Sequence, residues 1–210
     1  MSKSEDVSVS PHFWLRRLHS LSGVVPIGAF LLEHMISNAA ILKGPAAYND
    51  VIATLSGLPY VLVLEACFIY LPILFHAFYG FYVMATGKSN LAWYPYRANI
   101  LYTLQRWSGM IAFIYIAYHF YHTRGVNLLY GEEVSYERMA HLMSDPRIFW
   151  FYLVGLTAVM FHFANGLWGF LISWGVTVGP KSQRVSAVLC AGVGLALYVI
   201  GVNSLFHLTR

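Results

Sequence analysis

Four histidines set the question: His34, His76, His119 and His162 each sit inside a long apolar stretch, one per stretch. Imidazole binds metals and carries protons near neutral pH. Ionisable side chains at membrane depth are rare and usually functional. One such histidine alone reads equally well as a packed, hydrogen-bonded side chain; four, distributed one per stretch, point to shared chemistry. Of the remaining five, His12, His19, His141 and His207 lie at or beyond the ends of the stretches, where solvated or interfacial roles are the default. His122, in "YHFYH", abuts Arg124 at an interface and lies one turn from His119, so both cannot serve one metal from one helix.

The stretches that position these side chains define the class. The 210 residues are 58% hydrophobic and 10% charged, against about a quarter charged in soluble domains. Five runs, near 21–42, 60–86, 100–123, 148–174 and 185–208, are each long enough to span the hydrocarbon of a bilayer. The expected fold is an all-α integral membrane protein of five transmembrane helices, a single domain over 1–210. Its first four helices form the histidine-bearing bundle and the fifth packs outside it. "KGPAAYNDVIATLSGLP" and "GKSNLAWYPYR" read as connections, "GPKSQR" as a tight basic hairpin, and 123–147 as the longest polar piece, with room for a short surface helix. No separate soluble domain fits, so chemistry in water belongs to a partner. Cys67 and Cys190 lie in apolar runs and offer neither a disulfide framework nor a CxxC site. The opening "MSKSEDVSVSPHFWLRRLHS" does not read as a signal peptide. The net charge of +4 suits anionic lipid, and no Lys/Arg run suggests nucleic acid.

Orientation follows from charge. With the N-terminus inside, the inner segments hold eight cations (Lys3, Arg16, Arg17, Lys88, Arg97, Arg106, Lys181, Arg184) and the outer ones five (Lys43, Arg124, Arg138, Arg147, Arg210). At about 1.5 Å per helical residue, His34 lies about 26 Å beyond Arg17, and His119 about 20 Å beyond Arg106. Both therefore approach the outer face. His76 lies about 18 Å before Lys88, and His162 about 18 Å before Trp174, nearer the inner side. Two His–His pairs at two depths suit two six-coordinate haems. Imidazole suits iron, and a membrane site without Cys or carboxylate ligands favours haem over zinc.

Glycines accompany these ligands. Gly155, Gly166 and Gly169 share a helix with His162, and Gly80 and Gly87 follow His76, so a flat macrocycle could lie against them. Close helix packing is the competing use of such glycines. Pro72, one turn before His76, removes an amide proton and is expected to kink its helix. Haem carboxylates need cationic or hydroxyl partners. For the inner haem the candidates are Arg17, His19, Ser22, Arg106 and Ser108, in the weakly repeated motifs "RLHSLSG" and "LQRWSG". Flanking positive-inside charge is the alternative reading of these cations.

The segments "RRLHSLSGVVPIGAFLLEH", "FHAFYGFY", "LQRWSGMIAFIYIAYH", "FHFANGLWGF" and "WGVTVGPKSQR" resemble the di-haem cytochrome b membrane anchor of succinate dehydrogenases and fumarate reductases, most closely the single-anchor type of Bacillus and its relatives. The resemblance implies that His76 and His162 hold a proximal haem b and His34 and His119 a distal one. It also implies partner subunits on the cytoplasmic side, a flavoprotein with FAD and an iron–sulfur protein, docked near 88–97 and 180–184. Electrons would go to a quinone, typically menaquinone, near the outer face of a bacterial cytoplasmic membrane, with the C-terminus outside. For quinone protonation the candidates are Glu65, near the outer start of its span, and more weakly Glu33, which points about 100° away from His34 around the helix. A di-haem cytochrome b of a hydrogenase or formate dehydrogenase shares the bundle. A haem-free transporter with a histidine proton relay is the alternative of another class.

Overall fold

The computed structural model describes residues 10–209; Lys3 and Arg210 of the charge count lie outside them. Every regular element among the described residues is helical. Helix α1 (Pro11–Val24) begins at Ser10, whose hydroxyl accepts from the His12 amide. It continues past a break at Val25 into α2 (Pro26–Asn38), because Pro26 has no amide hydrogen to carry the ladder on. A 3-10 turn (Ala39–Lys43) completes the 33-residue rod, which begins earlier than the apolar run because the polar turn around Arg16 and Arg17 is also helical.

Two turns then share one design. Gly44 (φ 98°) precedes Pro45, and Gly179 (φ 86°) precedes Pro180. Glycine takes the positive φ without a Cβ clash, and proline then occupies the first helical position, where no amide is needed. The first of these turns launches α3 (Pro45–Ser56), a helix where the sequence read as a connection; its Tyr48 is buried in the core cluster. Next come α4 (Val61–Glu65), a π-helical turn (Ala66–Tyr70) and α5 (Leu71–Thr86). The π turn ends two residues before Pro72, with the Leu71 amide reaching back to the Ala66 carbonyl, so the helix is widened where a kink was expected. Phe68, Leu71, Leu74 and Phe78 form an exposed stripe along this segment, as a lipid-facing helix requires.

Helix α6 (Arg97–Phe120) runs into a second π turn (Tyr121–Gly125) and the short α7 (Val126–Tyr130). The surface helix anticipated in 123–147 is α8 (Tyr136–Met143), capped by Ser135 and burying Met139 and Met143. Asp145 caps α9 (Pro146–Ser173) by accepting from the Arg147 amide. The Arg147 side chain and amide hold the Asp145 carboxyl down at about 2. Helix α10 (Pro180–His207) closes the chain.

Four segments are long and apolar enough to cross a membrane: Pro11–Lys43, Val61–Thr86, Pro146–Ser173 and Pro180–His207. The fifth expected span, α6, falls short on apolarity because Arg97, Asn99, Gln105 and Arg106 lie on it. Helix α9 is the central element, packed along its length by α6 and α10. Small residues set these approaches. A Cβ on Gly155 would lie 2.2 Å from the Tyr115 ring, one on Gly194 2.6 Å from Ala164, and one on Gly201 2.8 Å from Met35. Such contacts, rather than water exclusion, hold helices together in lipid. The buried core includes Met35, Met143, Tyr152, Leu156, Leu197 and Leu205, with Ile41, Tyr48 and Leu208 in the same cluster.

Candidate functional site

His76 on α5 and His162 on α9 face each other, with ring centroids 6.2 Å apart and planes at 88°. Each is held from behind by a neighbouring helix. His76 Nδ1 lies 3.0 Å from the His19 carbonyl oxygen of α1 and 3.4 Å from Ser22 Oγ. His162 Nδ1 lies 3.0 Å from the Gln105 carbonyl oxygen of α6 and 3.3 Å from Ser108 Oγ. A carbonyl only accepts, so each Nδ1 carries the hydrogen and donates it. The neutral ring then keeps its lone pair on Nε2, the form that ligates a metal. Ser22 and Ser108 are both buried and donate to those same carbonyls, at 2.9 and 3.1 Å. The Gln105 amide nitrogen donates to the His162 carbonyl at 3.0 Å and also lies 3.2 Å from Nδ1; the Gln105 carbonyl decides the tautomer.

His34 on α2 and His119 on α6 form the second pair, centroids 5.7 Å apart and planes at 78°. Its surroundings differ. The Asn38 amide nitrogen lies 3.3 Å from His34 Nδ1 and donates to the His34 carbonyl at 2.7 Å. His119 Nδ1 is buried without a partner, and its ring stacks on Tyr115. His122 turns away onto Tyr118, ring centroids 4.3 Å apart. Along α1–α2, His34 is roughly 22 Å beyond His19, and on α6 His119 is roughly 21 Å beyond Gln105, at the rise of an α-helix. The two pairs thus stand at two levels of the helices.

The donor set fits a haem. An imidazole on each side of one metal ion, at metal–nitrogen distances of about 2 Å, puts the ring centres about 6 Å apart. No group of three or more His, Cys, Asp or Glu side chains gathers among the described residues. Each pair would offer two imidazole nitrogens, the protein ligands that a haem iron can take from two facing helices.

Residues 88–202 match the family described as the succinate dehydrogenase/fumarate reductase transmembrane subunit. Over 200 residues the chain is 40% identical to the succinate dehydrogenase cytochrome b558 subunit of Bacillus subtilis (strain 168), covering 95% of this chain and 98% of that one. The chain belongs to the succinate dehydrogenase/fumarate reductase transmembrane subunits. Membership sets aside the hydrogenase, formate dehydrogenase and transporter alternatives.

In this transmembrane subunit the inner-end candidates fall into two groups. Ser22 and Ser108 are engaged with the imidazoles of His76 and His162. His19 also lies against His76, while Arg17 and Arg106 are engaged elsewhere. His19 stacks on His76 at 4.1 Å with its Nδ1 buried and unpartnered. Arg106 sends its guanidinium to the Val83 carbonyl at 3.3 Å and the Gly87 carbonyl at 3.5 Å, leaving Nε buried and unpartnered. Arg17 donates to the Ser173 carbonyl and lies over the Trp174 ring, while Trp174 donates to Ser20 at 3.0 Å.

Among the glycines, Gly80 meets His19 and Gly166 meets Gln105, whereas Gly155 meets Tyr115 and Gly169 meets nothing within 4 Å. The glycines set against the facing imidazoles are Gly23, beside His76, and Gly109, beside His162. Neither glycine, nor Gln105, is among the candidates that the residue types alone single out. The signal was present in the repeated Ser-Gly of "RLHSLSG" and "LQRWSG", since carbonyl and imidazole are 57 positions apart in each half and serine and imidazole 54.

Glu33 is exposed and accepts from Ser37. Glu65 is more enclosed. Arg124 Nε lies 3.0 Å from both of its oxygens, and Tyr70 donates to it at 3.0 Å. Arg124 also donates to Asn127 at 2.5 Å. This cluster links the two π turns across the helices: Tyr70 lies on one, Arg124 on the other, and Glu65 directly precedes the first.

Proposed function

We propose that this subunit is the di-haem cytochrome b anchor of a succinate:quinone oxidoreductase in a bacterial cytoplasmic membrane, with its N-terminus cytoplasmic and its C-terminus outside. The observation that carries this reading is the pair of facing imidazole couples at two levels, in a chain of this family. His76 and His162 hold the proximal haem b, and His34 and His119 the distal one. Bound haem supplies one-electron transfer between the two sides of the membrane. Helix α6 is the fifth span: its 24 residues reach about 36 Å at helical rise, more than the hydrocarbon thickness.

The chain's own residues do the rest. Hydrogen bonds at Nδ1 orient His76 and His162 and fix their tautomer. The unpartnered His19 Nδ1 and Arg106 Nε, with Arg17 nearby, supply donors for the proximal propionates. At the outer end Glu65, Tyr70 and Arg124 bind the quinone head, and Glu65 exchanges protons with it. FAD and iron–sulfur clusters reside on partner subunits, which dock on the inner segments 88–97 and 180–184. Dicarboxylate chemistry takes place there, so the anchor is the quinone-reactive part of the enzyme.

The test is optical. The purified complex should show two haems b per chain, reducible by succinate and reoxidised by a menaquinone analogue. A colourless complex, or one haem per chain, would refute the reading.

A further inference from the structure

The two halves of the bundle repeat one local arrangement around different partners. On α1, the His19 carbonyl accepts from His76 Nδ1 at 3.0 Å, Ser22 Oγ stands 3.4 Å from the same nitrogen, and a Cβ on Gly23 would lie 2.5 Å from His76 Cε1. On α6, the Gln105 carbonyl accepts from His162 Nδ1 at 3.0 Å, Ser108 Oγ stands 3.3 Å away, and a Cβ on Gly109 would lie 2.8 Å from His162 Cε1. In each half the carbonyl, hydroxyl and glycine follow at i, i+3 and i+4, which one helical face brings together. The outer pair has no such set: His119 Nδ1 has no partner, and at His34 the neighbour is an amide nitrogen.

We propose that His19, Ser22 and Gly23 of α1, and Gln105, Ser108 and Gly109 of α6, are a duplicated positioning device, each copy clamping one imidazole at Nδ1 so that Nε2 is the metal donor. This rests on the reading of His76 and His162 as haem ligands. Each residue has a distinct part. The carbonyl, a backbone acceptor, fixes the tautomer. The serine donates to that carbonyl and presents a lone pair to the same N–H, so the hydrogen is shared between two acceptors. Glycine lets the helix backbone approach the ring face; alanine would press on a ring that its hydrogen bond prevents from swinging away. Partners of this kind raise the donor strength of an imidazole and hold its plane, and their loss typically weakens metal retention roughly 10- to 100-fold.

The halves also differ. His19 stacks on the imidazole it clamps, whereas Gln105 turns its side chain to the His162 carbonyl and accepts from Asn165 at 2.8 Å. The α1 copy therefore buttresses a ring and the α6 copy buttresses a helix.

The test uses the intact complex carrying Ser22→Ala, Ser108→Ala, both together, Ser108→Thr, Gly23→Ala or Gly109→Ala. Haem per chain, midpoint potentials and low-temperature electron paramagnetic resonance are recorded, with the proximal signals assigned from His76→Ala and His162→Ala. The serine-to-alanine variants should keep both haems, shift only the proximal resonance and raise only the proximal potential, because a weaker imidazole donor stabilises ferric iron less. Ser108→Thr should return both readouts to wild type. Gly23→Ala and Gly109→Ala should lose the proximal haem and retain the distal one. An unchanged proximal resonance and potential in the double serine variant would overturn the device, whether or not the glycine variants assemble. If His76→Ala and His162→Ala remove no haem, the underlying ligand assignment fails instead, and the device with it.

Discussion

The imidazole planes of His76 and His162 cross at 88°, with centroids 6.2 Å apart. His34 and His119 cross at 78°. On the proposed ligation, imidazoles crossed at these angles would leave the two ferric π orbitals nearly equal in energy. Both haems should therefore give strongly anisotropic low-spin resonances with a large maximal g value. Two ordinary rhombic low-spin signals, as parallel imidazoles produce, would contradict the ring geometry.

Arg106 reaches the end of α5 only because residue 87 is glycine; a Cβ there would lie 1.6 Å from the guanidinium. Arg106→Gln and Gly87→Ala should both lower the proximal potential, since a cation beside a propionate favours the ferrous haem. The distal potential should stay unchanged. Equal proximal potentials in wild type and Arg106→Gln would leave Arg106 as flanking charge alone.

Glu65 and Arg124 form a half-enclosed ion pair, at 17% and 22% exposure. Removing one partner leaves the other charge uncompensated. Glu65→Gln should therefore slow quinone reduction severalfold while succinate still reduces both haems, and Tyr70→Phe should do so more mildly. Wild-type quinone turnover in Glu65→Gln would remove the residue from the site.

The candidate pairs were legible through their number, one imidazole in each of four apolar runs, since a single one reads equally well as a packed side chain. Counting residues along the helices groups His76 with His162 and His34 with His119, and the rings of these same two couples face each other, at 6.2 and 5.7 Å between centroids. Other features were not legible. The helix Pro45–Ser56 lay behind turn residues, because "KGP" reads as a connection whether or not a helix starts at its proline. The glycines near His162 were assigned to a macrocycle, yet Gly155 faces Tyr115, because the partner of a small residue is chosen by the neighbouring helix. Ser22 and Ser108 were recognised as a repeat, but their target is an imidazole some 54 positions away, which no local pattern announces.

On the proposed reading, two haem levels would make electron transfer from succinate to menaquinone an outward movement of negative charge. With the inside negative, each 100 mV assists that movement by about 2.3 kcal/mol per charge that crosses fully. In energised vesicles an uncoupler should slow succinate-to-menaquinone transfer. Fumarate reduction by menaquinol runs against the field and should not slow. Insensitivity in both directions would place quinone on the inner side.

The central claim is the pairing itself, and haem counting in histidine variants tests it most directly. His76→Ala and His162→Ala should each leave one haem b per chain with the same spectrum. His34→Ala and His119→Ala should each leave one with the other spectrum, and His122→Ala should keep both. If His34→Ala and His76→Ala removed the same haem, the two-level arrangement would be wrong.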